Sequence, residues 1–344
     1  MQNPTYSATD NNALLRDICS ESFLRMTPLV SIHMLAYRHG RFISQAIEGA
    51  LNQKCDFPFE IVIAEDCSPD DTLSIAMAYQ EKHPDVIRIV TSGQNVGMHR
   101  NSQRSTSLCR GKYLAFCEGD DFWHHPDKCA LQAAMMEADS GISLAYSNHD
   151  KLNRLWVARN IIKSRDAKDY ESFLKEWNIH TATTMIRRDV YEAFVASKFH
   201  QKAWPFGDYN MILYAATHGK LGFVDASTAT YRMTKGSAVN SGHDAAMRMI
   251  SATEECASMF MEEFPVSDKC RQQLRLKLNC KAMKFSFYSG QSDRYLQAYR
   301  AVAASATKTS RILMYFGYLL VKLKFPAALL SSAKRWVEQR ILAM

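Results

Sequence analysis

Three carboxylates stand within four residues at Glu118-Gly119-Asp120-Asp121, directly after the apolar run KYLAFC at 112–117. Such neighbours repel one another at neutral pH unless a cation or solvent screens them. Hard divalent cations, Mg2+ or Mn2+, take oxygen ligands and are commonly shared with phosphates. Gly119 permits a tight turn that points the carboxylates one way. An isolated EGDD is more often a solvated acidic turn. Its place after a buried strand brings the two readings level, because open parallel sheets bind ligands beyond the carboxyl ends of their strands. His124 and His125 follow the loop, where a plain solvent-facing segment outweighs further metal ligands.

A second acidic loop, Glu65-Asp66-Cys67-Ser68-Pro69-Asp70-Asp71, ends the apolar run FEIVIA. Asp66 is placed to accept hydrogen bonds from a base or ribose, whereas Asp70 and Asp71 favour the start of the next helix through its dipole. A third element is Gly93-Gln94-Asn95-Val96-Gly97 with Arg100 and Asn101. Arg100 falls in the first turns of a helix, where a basic side chain opposes the dipole, so a phosphate or an Asp is its expected partner. A fourth is Phe206-Gly207-Asp208-Tyr209, in which an Asp before a helix is most often a cap. There is no GxGxxG after the first strand, no Walker A sequence and no GxSxG elbow, which disfavours a dinucleotide dehydrogenase, a P-loop NTPase and an α/β-hydrolase.

The elements that must hold these loops alternate. Strands are expected at 29–36, 59–64, 86–91, 112–117 and 142–147. Helices are expected at 40–51, 70–82 with Ser68 as its N-cap, 98–109 and 126–138. A short helix is also expected around 12–24. Strand–helix repeats with short connections indicate a parallel sheet covered on both faces. Beyond residue 148 the rhythm changes, with a strand at 181–186, helices at 189–197 and 208–217, and two strands at 221–225 and 227–232. From about 241 the pattern is almost wholly helical.

The 344 residues suffice for one large α/β domain with an appendage, and 47% hydrophobic with 22% charged residues is ordinary for a soluble globular chain. Lys and Arg number 42 against 35 Asp and Glu, a formal charge of +7. That modest excess gives no case for a nucleic-acid partner. Nine cysteines, an odd number without a CxxC pair, read as reduced thiols of a cytosolic protein. The first ten residues are polar and no apolar run reaches the roughly 20 residues that span a bilayer. Segment 312–321 is apolar and aromatic, flanked by Lys308, Arg311, Lys322 and Lys324. It reads equally as a helix in the membrane interface and as a helix packed on the catalytic domain or a dimer partner.

These motifs, in this order, resemble those of family 2 glycosyltransferases. Ser31-Ile32-His33-Met34-Leu35-Ala36-Tyr37 looks like the family's opening strand, followed by Arg38. Residues 59–72 look like its acidic DDGS-x-D-x-T stretch. Asn95-Val96-Gly97 with Arg100-Asn101 looks like its N-x-G…R-N segment. Glu118-Gly119-Asp120-Asp121, with Pro126-Asp127-Lys128, looks like its DxD motif and following helix. More weakly, 180–188 resembles the strand before the acceptor region, Gly207-Asp208 the ED or GD pair, and Tyr231-Arg232 the late YR strand end. Three positions depart from the pattern: Glu118 stands for Asp, Cys67 for Gly, and Thr234 where relatives often carry a His.

The resemblance implies a GT-A fold, a Rossmann-like and mainly parallel sheet flanked by helices, with a helical C-terminal extension. It divides the chain into a leader at 1–27, a GT-A domain at 28–240 and a helical region at 241–344. It implies an inverting transfer from a nucleoside-diphosphate sugar, with UDP as the expected carrier and Mn2+ or Mg2+ as cofactor. Tyr37 and Asp66 would border base and ribose, with Arg100 oriented towards Asp66 or the diphosphate. Glu118 and Asp120 would hold ribose and metal, Asp121 would be the strongest metal ligand, and Asp208 the catalytic base. The acceptor would be a saccharide or a lipid-linked sugar of a surface polysaccharide or glycolipid, met in the cytoplasm or, through 305–344, at the membrane face. The rival readings are a nucleotide-sugar-binding assembly partner without transfer activity and a sugar-nucleotide pyrophosphorylase. Retention of Asp120, Asp121 and Asp208 counts against the first. The lack of a Gly-rich basic loop at 33–41 counts against the second.

Overall fold

The structure, a computed structural model, describes residues 15–152, 157–162, 169–176, 179–202, 204–233 and 243–303, together with Tyr315, Tyr318, Leu319 and Lys322. Contacts divide the chain into two units. The first is Met1–Asp169, Asn178–Ala203 and Met211–Met233; the second is Tyr170–Trp177, Trp204–Asn210 and Thr234–Met344.

The first unit is built on one sheet of ten strands. They are β1 (Leu15–Ile18), β2 (Val30–Ala36), β3 (Phe59–Glu65), β4 (Ile87–Ser92), β5 (Tyr113–Phe116), β6 (Phe122–Trp123), β7 (Ile142–Leu152), β8 (Val157–Ile162), β9 (Met185–Arg187) and β10 (Lys220–Arg232). The order is β1-β4-β3-β2-β5-β9-β7-β10-β6, and β8 pairs with β7. Strands β4, β3, β2 and β5 form the parallel nucleus, and β7 and β10 are also parallel. Between these two blocks β9 runs antiparallel to both β5 and β7. The nucleus strands are mainly apolar because helices cover both faces, and their buried polar residues, Ser31, Glu60 and Arg88 among them, are hydrogen-bonded. Helix Ile43–Leu51 contributes Ile43, Ala46, Ile47 and Ala50, all fully buried against Val30, Ile32, Ile61 and Ile63.

Several elements differ from the sequence expectation, each for a local reason. The helix expected around 12–24 is instead β1 followed by helix Glu21–Arg25. The strand adds antiparallel to β4, where the Asp17 carboxylate accepts from Arg88, and Ser20 caps the helix by accepting from Phe23 N. The expected cap Ser68 serves elsewhere: its hydroxyl accepts from Arg38 N, while Asp70 accepts from Thr72 N at the start of helix Thr72–Lys82. The strand expected at 181–186 opens as a 3-10 turn, Thr181–Thr183. There Thr183 and Thr184 donate their hydroxyls to the carbonyls of His180 and Thr181, and strand pairing begins only at Met185. The two strands expected at 221–232 are one strand, β10, with register shifts around Ser227.

In the second unit the helical reading of the C-terminal region holds for His243–Glu263, Asp268–Tyr288 and Ser292–Ala303. Ser267 caps the second of these, accepting from Cys270 N, and both its backbone N–H and its hydroxyl donate to Glu171. Met283, Phe287, Tyr295, Ala298 and Val302 form one buried cluster there, and Tyr318 packs against them. The tail expected at 305–344 otherwise lies outside the described residues. Among the described residues no helix is long and apolar enough to cross a membrane.

Candidate active site

The parallel strands β2, β3 and β5 bring three loops to one edge of the sheet, and backbone hydrogen bonds stitch them together. Asp66 N donates to Ala36 O at 3.0 Å, Cys117 N to His33 O at 3.0 Å and Gly119 N to Leu35 O at 2.8 Å. The loops after β3 and β5 therefore both hang on the end of β2. Gly119 is required there for close approach, since a Cβ would stand 2.8 Å from His39 Nδ1 and 3.3 Å from Leu35 O. Its φ is not in the left-handed region, so the turn argument made from the sequence is replaced by a packing one.

The loop after β3 is fixed by its own carboxylates. Glu65, fully buried, accepts from Cys67 N, Ser68 N and the Thr91 hydroxyl. Cys67, the position at which the sequence departs from the family's glycine pattern, takes φ 55°, the left-handed conformation that favours glycine. Glu65 holds the Cys67 amide in this conformation. Asp66 is 2% exposed, and its two oxygens accept from Val96 N and Gly97 N, both at 2.9 Å. It therefore anchors the 95–97 loop at the start of helix Met98–Thr106. The arginine facing it is Arg104, 3.6 Å away, which also donates to Glu65 O and to Asn101 Oδ1. Arg100, expected to face Asp66 or the diphosphate, lies one helical turn earlier than Arg104 and is exposed. The i,i+4 spacing was the available signal, and the last-turn position suits the cation better than the first. Tyr37 is 37% exposed beside this loop, with the Arg38 guanidinium 5.1 Å from its ring centre.

The loop after β5 is closed by Arg232 at the end of β10. Arg232 N donates to Asp121 Oδ1 at 2.8 Å and its guanidinium to Asp120 O at 2.7 Å. The same guanidinium donates to Gln45 and lies over the rings of Phe122 and Phe42 at 4.5 and 5.2 Å. Asp121 is 2% exposed. Burial, and then the charges of Asp120 and Glu118, push its carboxyl well above the ordinary carboxylate range, against the pull of the Arg232 N–H. Asp120 and Glu118 are half-buried beside it, with His39 Nε2 3.9 Å from Asp120 Oδ1. His180 Nε2 stands 3.7 Å from Asp121 Oδ2. Both ring nitrogens of His124 are engaged, with Thr230 Oγ1 and Ser227 O, so the plain-loop reading of that residue holds.

Asp120 and Asp121 are hard oxygen donors, and a buried carboxyl made costly to ionise by its neighbours suits a divalent cation. Among the described residues no group of three or more His, Cys, Asp and Glu side chains is gathered as a complete ligand set. A cation here fits only by sharing its sphere with phosphate oxygens and water, which is the ordinary state of Mg2+ at phosphate sites.

Below the loop, Lys128 of helix Lys128–Ala138 is fully buried. Burial pulls its ammonium down to about 8. It donates to Gln132 Oε1 at 2.7 Å and lies 4.2 Å from the Trp123 ring centre, while Trp123 Nε1 donates to Ala182 O. These contacts tie the segment after the acidic loop to the Thr181–Thr183 turn. In the second unit Asp208 opens helix Asp208–Thr217 and accepts from Tyr209 N at 2.8 Å. Asp208 is thus the first residue of the helix, and its contact with the next N–H is not the bond to the second or third N–H that a cap makes. Thr234 lies outside the described residues. His39, Arg104 and His180 were not singled out from the sequence, and Arg232 was noted only as a strand end.

The glycosyl transferase family 2 model matches residues 31–194, a span that holds all three loops. The chain carries a family 2 glycosyltransferase domain. This domain is 34% identical over 131 residues to the chondroitin synthase of Escherichia coli, covering 38% of this chain and 18% of that protein. It is 30% identical over 162 residues to the UDP-Glc:alpha-D-GlcNAc-diphosphoundecaprenol beta-1,3-glucosyltransferase WfaP of Escherichia coli, covering 46% and 61%. The chain spans less than two thirds of the length of these relatives. Its fold matches the mannosyltransferase PcManGT from Pyrobaculum calidifontis, solved with GDP-Man and Mn2+, with a TM-score of 0.54 and 15% identity over 95% of this chain and 88% of that one. The glycosyltransferase fold is therefore GT-A, an α/β sheet with helices appended at the C-terminal end.

Proposed function

We propose that the protein is an inverting glycosyltransferase that moves a sugar from a nucleoside-diphosphate sugar, with UDP as carrier, to an acceptor hydroxyl in polysaccharide or glycolipid assembly. The observation that carries this reading is the acidic loop at the end of β5, where buried Asp121 and half-buried Asp120 are held by Arg232 within a family 2 domain. The relatives support it by their chemistry. WfaP is named for transfer from UDP-Glc to a lipid-linked diphosphate acceptor, and PcManGT was solved with a nucleotide sugar and Mn2+.

In this reading Asp120 and Asp121 hold a divalent cation, Mn2+ or Mg2+, with Glu118 directed to the ribose. When bound, the cation acts as a Lewis acid that stabilises the charge developing on the leaving diphosphate. Tyr37 borders the base as an exposed aromatic edge. Asp66 shapes that border through the 95–97 loop, and Arg100 offers an exposed cation to the diphosphate. The acceptor hydroxyl oxygen attacks the anomeric carbon, its proton passes to the Asp208 carboxylate, and the bond from that carbon to the diphosphate breaks with its electron pair leaving on UDP. A single displacement of this kind inverts the anomeric centre.

The test is turnover on a panel of nucleotide sugars with and without EDTA, for the wild type and Asp208→Asn. The amide keeps the size and some capping capacity of the side chain, so the fold and UDP affinity should change little. Loss of the base should lower transfer by roughly 10²–10⁴-fold. Absence of turnover on every donor, with or without metal, would overturn the enzymatic reading and favour an assembly partner, and turnover unaffected by EDTA would overturn the cation. Normal turnover in Asp208→Asn would move the base to another carboxylate.

A further inference from the structure

His180 ends the segment before the 3-10 turn Thr181–Thr183, and its Nδ1 accepts from Ala182 N at 3.3 Å. A ring nitrogen that accepts a hydrogen bond carries no proton, so the proton of the neutral ring sits on Nε2. Nε2 is the atom that stands 3.7 Å from Asp121 Oδ2. Two further rings flank the imidazole, Tyr231 at 4.5 Å and His149 at 5.0 Å between ring centres. The orientation of His180 is thus set by a backbone cap on one side and packing on two others. Asp121 is held from the opposite side, since Arg232 N donates to its Oδ1 at 2.8 Å.

The geometry points to His180 as a positioning residue for Asp121: its Nε2–H and the Arg232 N–H together set the plane of the carboxylate, leaving the other lone pairs for a divalent cation and diphosphate. This rests on the reading of Asp121 as a cation ligand given above. The 3.7 Å gap is longer than a hydrogen bond and closes with a shift of under about 1 Å. Contacts of this kind commonly tighten when the ligand loads. The same cap argues against Nε2 as a ligand in its own right. Ligation there would put the proton on Nδ1, facing the Ala182 N–H donor head to head.

Two substitutions separate the cap from the Nε2–H. In His180→Asn the amide oxygen falls where Nδ1 was and keeps the cap, but nothing reaches Asp121. In His180→Gln the amide nitrogen falls where Nε2 was and keeps the donor, but the cap is weakened. The readout is free Mn2+ by electron paramagnetic resonance during titration into protein with saturating UDP, beside a thermal melt. Loss of a group that orients a ligand typically lowers metal affinity by about 10–100-fold. His180→Asn should show that loss with a near-normal melt, and His180→Gln should bind Mn2+ close to the wild type even if it melts earlier. Equal affinities in both variants, whether normal or equally weakened, would overturn the role. A wild type that binds no Mn2+ in the presence of UDP would instead overturn the metal reading itself, and His180 would have nothing to position.

Discussion

Asp121 carries two demands that pull in opposite directions. Its burial, with Asp120 and Glu118 beside it, raises its pKa well above the usual carboxylate value in the absence of a cation. A group whose pKa rises on folding favours the folded state while protonated. That contribution is complete below the unfolded value and is lost as pH rises through the folded one. Metal-free wild type should therefore lose melting temperature relative to Asp121→Asn as pH rises from about 4 to neutral, and the two should converge in acid. Melts across that range in EDTA check it, and parallel curves would mean that Asp121 ionises without cost. Such a trade of stability for a functional charge is common at sites. At this scale the sequence made the acidic cluster legible, because three carboxylates beside a buried strand need a reason. It left the partners illegible. Asp66 reads as a ligand-facing acid yet spends both oxygens on Val96 N and Gly97 N, and the arginine it faces is Arg104. Hydrogen bonds to the backbone of distant loops leave no trace in composition or spacing.

Between elements the acidic loop depends on a glycine in a helix. Gly49 lies in helix Ile43–Leu51, and a Cβ there would stand 2.5 Å from Trp123 O and 3.1 Å from Trp123 N. Alanine in a helix interior usually stabilises by roughly 0.5–1 kcal/mol over glycine. Here it meets the backbone of β6, so Gly49→Ala should destabilise instead, by about 1–3 kcal/mol as overpacking does. Because β6 continues the Glu118–Asp121 loop, nucleotide affinity should fall with it. A lower denaturation midpoint with weaker UDP binding is expected, and a stabilised variant would show that β6 yields freely. Strands β2, β3, β4 and β5 are legible because a strand buried on both faces is rich in apolar, β-branched residues. Strands β6 and β8 are not. Two residues, Phe122 and Trp123, have no periodicity to read, and β8 is defined by its pairing with β7. Segment β1 was mistaken for helix because its geometry comes from the exposed edge of β4.

Over the whole molecule, the order of strands β4-β3-β2-β5 collects the loops of three separate chain segments at one sheet edge, and Arg232 closes the collection from the far end of the domain. Strand–helix alternation indicates a parallel sheet with loops at the carboxyl ends of its strands, which is why the domain and its candidate edge could be expected from the chain alone, whereas the order of the strands could not. The antiparallel insertion of β9 between β5 and β7 could not, since three short residues joined to a 3-10 turn carry no signal of their partners. The claim common to every scale is that this edge binds a nucleoside diphosphate together with a divalent cation at Asp121. Calorimetric titration of UDP into wild type and Asp121→Asn, each with Mn2+ and with EDTA, tests it most directly. Tight binding is expected only for wild type with Mn2+, and weak, metal-independent binding for the variant. UDP affinity that is the same in all four titrations would contradict it.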